Sequence, residues 1–285
     1  MNTIKVAAVQ MNALKDDLDH NLDVHVHFTL AAADAGCSLV LFPELSVSSH
    51  YGDPEAVKFA EEAASGRTFT LMSDLAKKHG IFICYGFCEK AHGTHYNSQA
   101  IMGPKGLIGV QRKLHASSDE YLVYRMGRTI ETFDLGFCRA GLLICYDSAF
   151  SEAWRVLALR GVDLIMQPNA GRIGKGVKLS EQEHLDRLRE KMKVPPGQLC
   201  SGAAENGVFV LNCGQAGYNG HSTHGGGAIA IDPHGEVLAR AEPTTSDTFI
   251  TAELDLARLE EVRRGKNFVL KCRRPELYGE LCAMI

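Results

Sequence analysis

The stretch GLLICYD at residues 141–147, with the helical pattern from Phe150 to Arg160 behind it, decides the fold. A short apolar run ending on Cys145 and Asp147 reads as a buried strand, and the segment after it as a helix. Strand, reactive residue, helix is the building unit of an α/β sheet, whose sites form beyond the strand ends. Working outward, two more apolar runs stop on reactive residues. SLVLFPE (38–44) ends on Glu44, and GLIGVQRK (106–113) ends on Lys113. Three such ends carry more information together than any one alone.

The rest of the chain alternates in the same way. IKVAAVQM is a strand, and a helix is expected from Asp17 to Ala35. A helical segment spans Pro54 to His79, interrupted near Ser65 and Gly66. IFICYGFCE is a strand, and YNSQAIMGP and GLIGVQRK form a hairpin around Gly103 to Gly106. VDLIMQPN is another strand. A helix starts at Ser180, with Leu185, Leu188 and Met192 on one face and a capping box between Ser180 and Glu183. Pro195-Pro196 ends it. A short helix from Gln198 stops at Asn206-Gly207, a C-cap pair. VFVLNCG, GAIAIDP, EVLARAE and TFITAEL close the chain as strands. No flexible linker and no repeat divides it, so residues 1–285 read as one α/β domain with a mixed sheet or two packed sheets.

Bulk properties exclude several functions. The net charge is −4, where nucleic-acid binding needs a basic surface. No apolar run is long enough to span a bilayer, and the N-terminus lacks the layout of a signal peptide. Hydrophobic residues make up 45 % of the chain, enough for a large core. The nine cysteines are odd in number and sit mostly in apolar runs, as free thiols do in a reducing, cytoplasmic compartment. Cys84 and Cys88 face one side of a strand, but no second ligand pair follows, so no metal site is expected.

Each reactive residue has an ordinary alternative. Glu44 could be a solvated loop acid or an ion-pair partner. A lysine in QRKLH is usually on the surface, and a cysteine in an apolar strand is usually an inert core thiol. Yet the three types make coherent chemistry. A thiol becomes a nucleophile when a base takes its proton and a cation steadies the product. Glu44 suits the base and Lys113 the cation. Backbone N–H groups at the turn after Cys145, that of Tyr146 first, suit an oxyanion.

FPELSV, RKLH and ICYDSAFSE resemble, in this order, the three catalytic segments of the nitrilase superfamily of carbon–nitrogen hydrolases. AAENGVFVLN, GGGAIAIDPHGEVLA and RRPELY extend the resemblance over nearly the whole chain. It implies a four-layer αββα sandwich of two mixed sheets flanked by helices, and a Glu44–Lys113–Cys145 triad. Glu120, seven residues before Gly127, matches a second family glutamate that would orient Lys113. Tyr146, Asn169, Ala170 and His115 are implied at the oxyanion and substrate side. The implied reaction is hydrolysis of a small amide or N-carbamoyl compound through a Cys145 thioester, without metal or organic cofactor. The resemblance also implies a homodimer or higher homo-oligomer, with the last ~20 residues as an arm to a partner.

Departures from the family pattern bear on substrate. Nitrile-cleaving members usually carry glutamate where Asp147 stands, which favours the amidase or carbamoylase branch over nitrile hydrolysis. Ala149 and Ser151 replace an arginine and a proline found in relatives that bind a substrate carboxylate. That favours a neutral or cationic acyl donor, with Arg172 either a substitute anchor or a surface residue. Acyl transfer to an amine and a silent binding protein are the remaining alternatives. His92 with His95, and His221 with His224, are expected in polar surface loops. The pocket is expected to be shaped by segments 48–56, 92–97, 115–127 and 171–198.

Overall fold

A computed structural model of the chain describes residues 3–193 and 196–283. In chain order its elements are β1 (Thr3–Gln10), α1 (Leu18–Asp34), β2 (Leu39–Leu41), α2 (Arg67–His79), β3 (Phe82–Ala91), β4 (Thr94–Gly103), β5 (Gly106–Arg112), β6 (Thr132–Asp134) and β7 (Arg139–Leu142). There follow α3 (Ser151–Leu159), β8 (Leu164–Asn169), β9 (Arg172–Gly174), α4 (Glu181–Lys193), α5 (Gly197–Asn206), β10 (Phe209–Gly214) and β11 (Ala216–Tyr218). The last are β12 (Thr223–Gly225), β13 (Ala228–Ile231), β14 (Val237–Arg240), β15 (Thr248–Asp255) and α6 (Ala257–Arg264).

Two six-stranded mixed sheets carry the architecture, one ordered β15-β1-β2-β3-β4-β5 and the other β14-β13-β10-β8-β7-β6. Their inner faces meet in an apolar core that includes Val6, Leu41, Leu142, Met166 and Leu211. The outer face of the first sheet packs on α1 and α2 through Leu22, Phe28, Met72 and Leu75. That of the second packs on α3 and α5 through Trp154, Leu157 and Ala203. The result is the expected αββα sandwich. Both sheets have the same ladder pattern, antiparallel, parallel, parallel, antiparallel, antiparallel, read from β15 and from β6. The topology thus repeats although the sequence shows no repeat: burial constrains which positions are apolar, not which apolar residue fills them.

Local signals explain most boundaries. Asp17 caps α1 by accepting the His20 N–H at 3.0 Å. Ser180 and Glu183 close the expected capping box, with both Ser180 donors on the Glu183 carboxylate at 2.6 and 3.0 Å. Gly207 ends α5 in the left-handed conformation. The expected helix from Pro54 is only a 3-10 turn, Pro54–Val57, before α2 starts at Arg67. The helix starting at Ser180 buries His184 and Leu188, with Leu185 and Met192 half-buried beside them. Pro195, expected to end it, lies outside the described residues. Histidine 92 and Gly93 form a two-residue hairpin turn between β3 and β4, both at positive φ, as a type I′ turn requires. The surface-loop expectation thus holds for exposed His92, but most of segment 92–97 is strand.

Several contacts fix the loop after β2, which carries Glu44. Backbone atoms of Pro43 and Leu45 pass so close to Gly86 that a Cβ there would sit 2.3 Å from the Leu45 nitrogen. His25, fully buried on α1, bonds the Asn21 carbonyl at 2.6 Å and the Ser46 hydroxyl at 2.9 Å. Ser46 in turn accepts the Gly86 N–H at 3.2 Å. Burial depresses the His25 pKa from 6.5 to about 4, so the ring is neutral in the folded state. The unfolded chain therefore takes up this proton first. The His25 contribution to stability is present above pH 6.5 and is lost as pH falls through 4, on the order of 3 kcal/mol. The urea midpoint should fall between pH 7 and pH 4.5, and less so in His25→Gln, which keeps polar atoms but does not titrate. An equal fall in the variant would remove His25 from this account.

Candidate active site

Glu44, Lys113 and Cys145 converge between the two sheets. Glu44 follows β2, Lys113 follows β5, and Cys145 opens a 3-10 turn, Cys145–Ala149, beyond β7. Glu44 is 0 %, Lys113 3 % and Glu120 1 % exposed, so neither acid is a solvated loop residue and the lysine is not on the surface. The Lys113 ammonium lies 2.6 Å from Glu44 Oε1 and 2.8 Å from both oxygens of Glu120. Asn97 on β4 donates to Glu44 Oε1 at 2.8 Å and to Glu120 Oε1 at 3.0 Å. His50 Nε2 stands 3.3 Å from Glu120 Oε1, and Ser117 gives its N–H and hydroxyl to Glu120 Oε2 at 2.7 and 2.8 Å. Glu44 Oε2 has no hydrogen-bond partner among the described residues.

Electrostatics follow from this packing. Burial opposes the charge on Lys113, but Glu44, Cys145 and Glu120 outweigh it and hold the ammonium protonated far above the usual range. Burial would raise Glu120, yet the His50 bond and the Lys113 charge keep its carboxyl well below normal. Burial first, then the Glu44 charge, push the Cys145 thiol up to about 12, against the opposing pull of Lys113 and the Ala170 N–H. The resting thiol is therefore neutral, and it needs a base in contact to react. Glu44, His50 and Glu120 have atoms near enough together to hold a metal ion. The cation they surround here is the Lys113 ammonium, which would repel a second one.

Backbone strain marks the same place. Among non-glycine residues with positive φ, Leu45, Ser49, Ser118 and Cys145 all adjoin these groups. Such conformations persist only where surrounding structure enforces them. At Cys145 (φ 50°) the carbonyl is held by the Ser148 hydroxyl at 2.9 Å and Gln167 Nε2 at 3.1 Å. Asp147, buried, accepts from the N–H groups of Ile144, Leu114 and His115 at 3.1, 3.1 and 2.8 Å, and from His115 Nδ1 at 2.9 Å. This single carboxylate ties the cysteine turn to the backbone just after Lys113.

The remaining sequence candidates divide. His115 stacks on Phe150 at 3.7 Å, and Tyr146 is half-exposed beside the turn. Ala170 gives its N–H to the thiol, while the Asn169 side chain accepts the Gly171 N–H at 3.2 Å. Arg172 is neither free anchor nor surface residue: its guanidinium, 10 % exposed, pairs with Asp119 at 2.8 Å. His224 corrects the surface-loop expectation. It is buried on β12, bonds the Ala170 carbonyl at 3.0 Å, and faces His50 edge-on at 6.2 Å. His221 is half-buried near Tyr51. Cys84 and Cys88 are buried, and among the described residues no third ligand joins them. His50, Asn97 and Ser117 were missed. Polar residues inside strands and loops carry no periodic signal, and only the tertiary fold aims them at Lys113.

The match to the family model for carbon–nitrogen hydrolases runs over residues 5–264. The chain belongs to the carbon–nitrogen hydrolase family. A nitrilase of Pyrococcus abyssi is 31 % identical over 96 % of this chain and 99 % of its own. An omega-amidase of Mus musculus is 30 % identical over 98 % of both chains. An N-carbamoylputrescine amidase of Solanum tuberosum is 28 % identical over 99 % of this chain and 95 % of its own. Among solved structures, a carbon–nitrogen hydrolase from Helicobacter pylori superposes with a TM-score of 0.83 at 24 % identity, covering 99 % of both chains. This carbon–nitrogen hydrolase thus shares the nitrilase fold.

The Asp147 clamp is testable. In Asp147→Asn an amide N–H group faces backbone donors, leaving buried N–H groups unmatched at ~1–3 kcal/mol. Urea unfolding should show that loss, and hydrolytic turnover should drop more than the stability change explains. Wild-type stability in the variant would mean that the clamp is not needed.

Proposed function

We propose that this carbon–nitrogen hydrolase cleaves the C–N bond of small non-peptide amides or N-carbamoyl compounds through a Cys145 thioester. One observation carries the reading: a buried ammonium, Lys113, is held between two carboxylates beside a neutral thiol, and one Glu44 oxygen is left unpaired. Glu44 Oε2 takes the thiol proton as Cys145 Sγ attacks the carbonyl carbon. The carbonyl oxygen gains the electron pair and is met by the Lys113 ammonium and the Tyr146 N–H. The C–N bond then breaks, and Glu44 gives its proton to the leaving ammonia or amine. Water enters, loses a proton to Glu44, attacks the thioester carbon and releases the acid. The proton returns to the sulfur. Glu120 positions Lys113 in this scheme, and His50, Asn97 and Ser117 position Glu120. His115, Asn169 and Ala170 form the wall toward substrate.

The relatives' names support the amide reading: an omega-amidase and an N-carbamoylputrescine amidase match almost end to end. Among the described residues no helix is long and apolar enough to cross a membrane. The free thiols fit a cytoplasmic setting. The same reading takes the C-terminal turns as an arm of a homo-oligomer. Leu277 and Leu281 are 59 % and 64 % exposed, and Tyr278 stands beside them over the α3–α5 face. Light scattering should give a dimer or larger assembly that weakens when the chain is cut after Lys271. A monomer at micromolar concentration would remove the arm from the proposal.

Ammonia release should be measured on primary amides, N-carbamoyl amines, N-carbamoyl amino acids and nitriles, with Cys145→Ala in parallel. Amides or carbamoyl compounds should react, and the variant should lose about 10³-fold or more. Turnover that survives in the variant, or turnover of nitriles alone, would sink the reading.

A further inference from the structure

Two contacts of the site are carried by separate segments of chain. The turn Ser118–Leu122 carries Glu120, which holds the Lys113 ammonium at 2.8 Å. The link between β8 and β9 carries Ala170, whose N–H meets the Cys145 thiol. Strand β12 backs that link: His224 Nδ1 bonds the Ala170 carbonyl at 3.0 Å, and the Gly225 N–H donates to the Gly171 carbonyl at 2.9 Å. An ion pair joins the two segments. Arg172, opening β9, donates through Nη2 to Asp119 Oδ1 at 2.8 Å and through Nη1 to Oδ2 at 3.3 Å. Asp119 directly precedes Glu120, and Arg172 follows closely on Ala170.

This pair differs from a solvated surface bridge. Its side chains are 10 % and 19 % exposed, and the fork uses both carboxylate oxygens. The Arg172 bond holds the Asp119 carboxyl far below the usual carboxylate range. Lys175, just beyond β9, adds a contact to Asp119 at 3.4 Å and one to the Ser118 hydroxyl at 3.2 Å. From another side Gly52 presses on the same carboxylate, and a Cβ there would lie 2.4 Å from Asp119 Cγ. Gly52 belongs to the loop that brings His50 to Glu120. A forked, largely enclosed pair fixes direction as well as distance, which a solvated pair does not. It also spans the two segments whose spacing decides how Lys113 and Ala170 meet the sulfur.

We propose that the Arg172–Asp119 pair is a positioning device that sets the Glu120 turn against the Ala170 link, so that the Lys113 charge and the Ala170 N–H act on the Cys145 sulfur together. Arg172 and Asp119 touch none of the reacting atoms. They act through Glu120 on one side and through Ala170 on the other. The consequence for turnover rests on the hydrolase reading above, whereas the consequence for the thiol does not. A misplacement of about 1 Å at such contacts costs on the order of a hundredfold in rate.

Alkylation of the full chain by iodoacetamide, mapped by peptide mass, reads the Cys145 thiol without requiring turnover, and exposed Cys272 is the reference in the same sample. R172Q and the nearly isosteric D119N should each slow Cys145 alkylation by about tenfold or more. The double variant should be no slower than the slower single one, because both substitutions remove one interaction. R172K keeps the charge but not the fork and should fall between R172Q and the wild type. Alkylation of Cys272 should not change, and circular dichroism should show each variant folded. A pair that served stability alone would lower the urea midpoint and leave Cys145 alkylation at the wild-type rate, which overturns the device. So does a loss that multiplies in the double variant, or one that R172K does not ease. Ammonia release from primary amides is then measured on the same proteins. Slowed alkylation with no ammonia release even from the wild type keeps the device and removes the hydrolase reading. Ammonia release that is equal in wild type and folded variants removes the device alone.

Discussion

The structure depends on one buried cation between two buried acids. Taking Lys113, Glu44 and Glu120 out of water is expensive unless every remaining polar atom is met. Asn97, His50 and Ser117 supply those contacts, and they come from β4 and from the loops after β2 and β5. The triplet is therefore also a tertiary lock. Removing one member leaves a buried charge without its partner, a far greater loss than removing a surface pair. Burial first, and then the Glu44 charge, keep the neighbouring thiol protonated against the pull of Lys113. The same arrangement leaves one Glu44 oxygen without a partner among the described residues, as the proposed base requires. In the proposed mechanism, activation then belongs to the moment of attack and not to the resting state.

A second constraint is geometric. The Cys145 thiol and the Lys113 ammonium arrive from different sheets, so their spacing is only as good as the link between the sheets. Asp147 provides that link by gathering N–H groups from both sides. Gln215 adds another, donating to the Glu44 carbonyl at 2.7 Å from the loop after β10. On the far side of Lys113, Arg112 forms a forked ion pair with Glu89, whose carboxylate also takes the Ser98 hydroxyl at 2.6 Å. The strained φ values at Leu45, Ser118 and Cys145 are sustained by this dense bonding. Strain and clamp belong together: the backbone is held where the side chains need to be.

The cavity beside the cysteine turn is built differently. The walls around the cysteine turn come from α4 and from the ends of β8, β10 and β14, elements distant in the chain. The Glu44–Lys113–Glu120 cluster is buried and densely hydrogen-bonded, with one Glu44 oxygen left without a partner among the described residues, whereas the cavity beside it is lined by polar, charged and apolar side chains together. A rigid reacting centre and an adaptable recognition surface can then change independently. This agrees with relatives of similar identity whose names specify different substrates.

The sequence alone determined the α/β class, the order of nearly all strands and helices, and the three reactive residues at strand ends. Periodicity, capping residues and turn glycines are local, and local signals survive without a structure. The resemblance added the sandwich and Glu120. The tertiary structure decided what no local pattern encodes. It made Lys113 buried where a lysine is usually exposed, and it took Arg172 away from substrate by pairing it with Asp119. It turned His224 inward and brought His50 and Asn97 to the Glu120 carboxylate. These outcomes rest on desolvation and on side chains from separate elements meeting at hydrogen-bonding distance, and both exist only once the two sheets are packed.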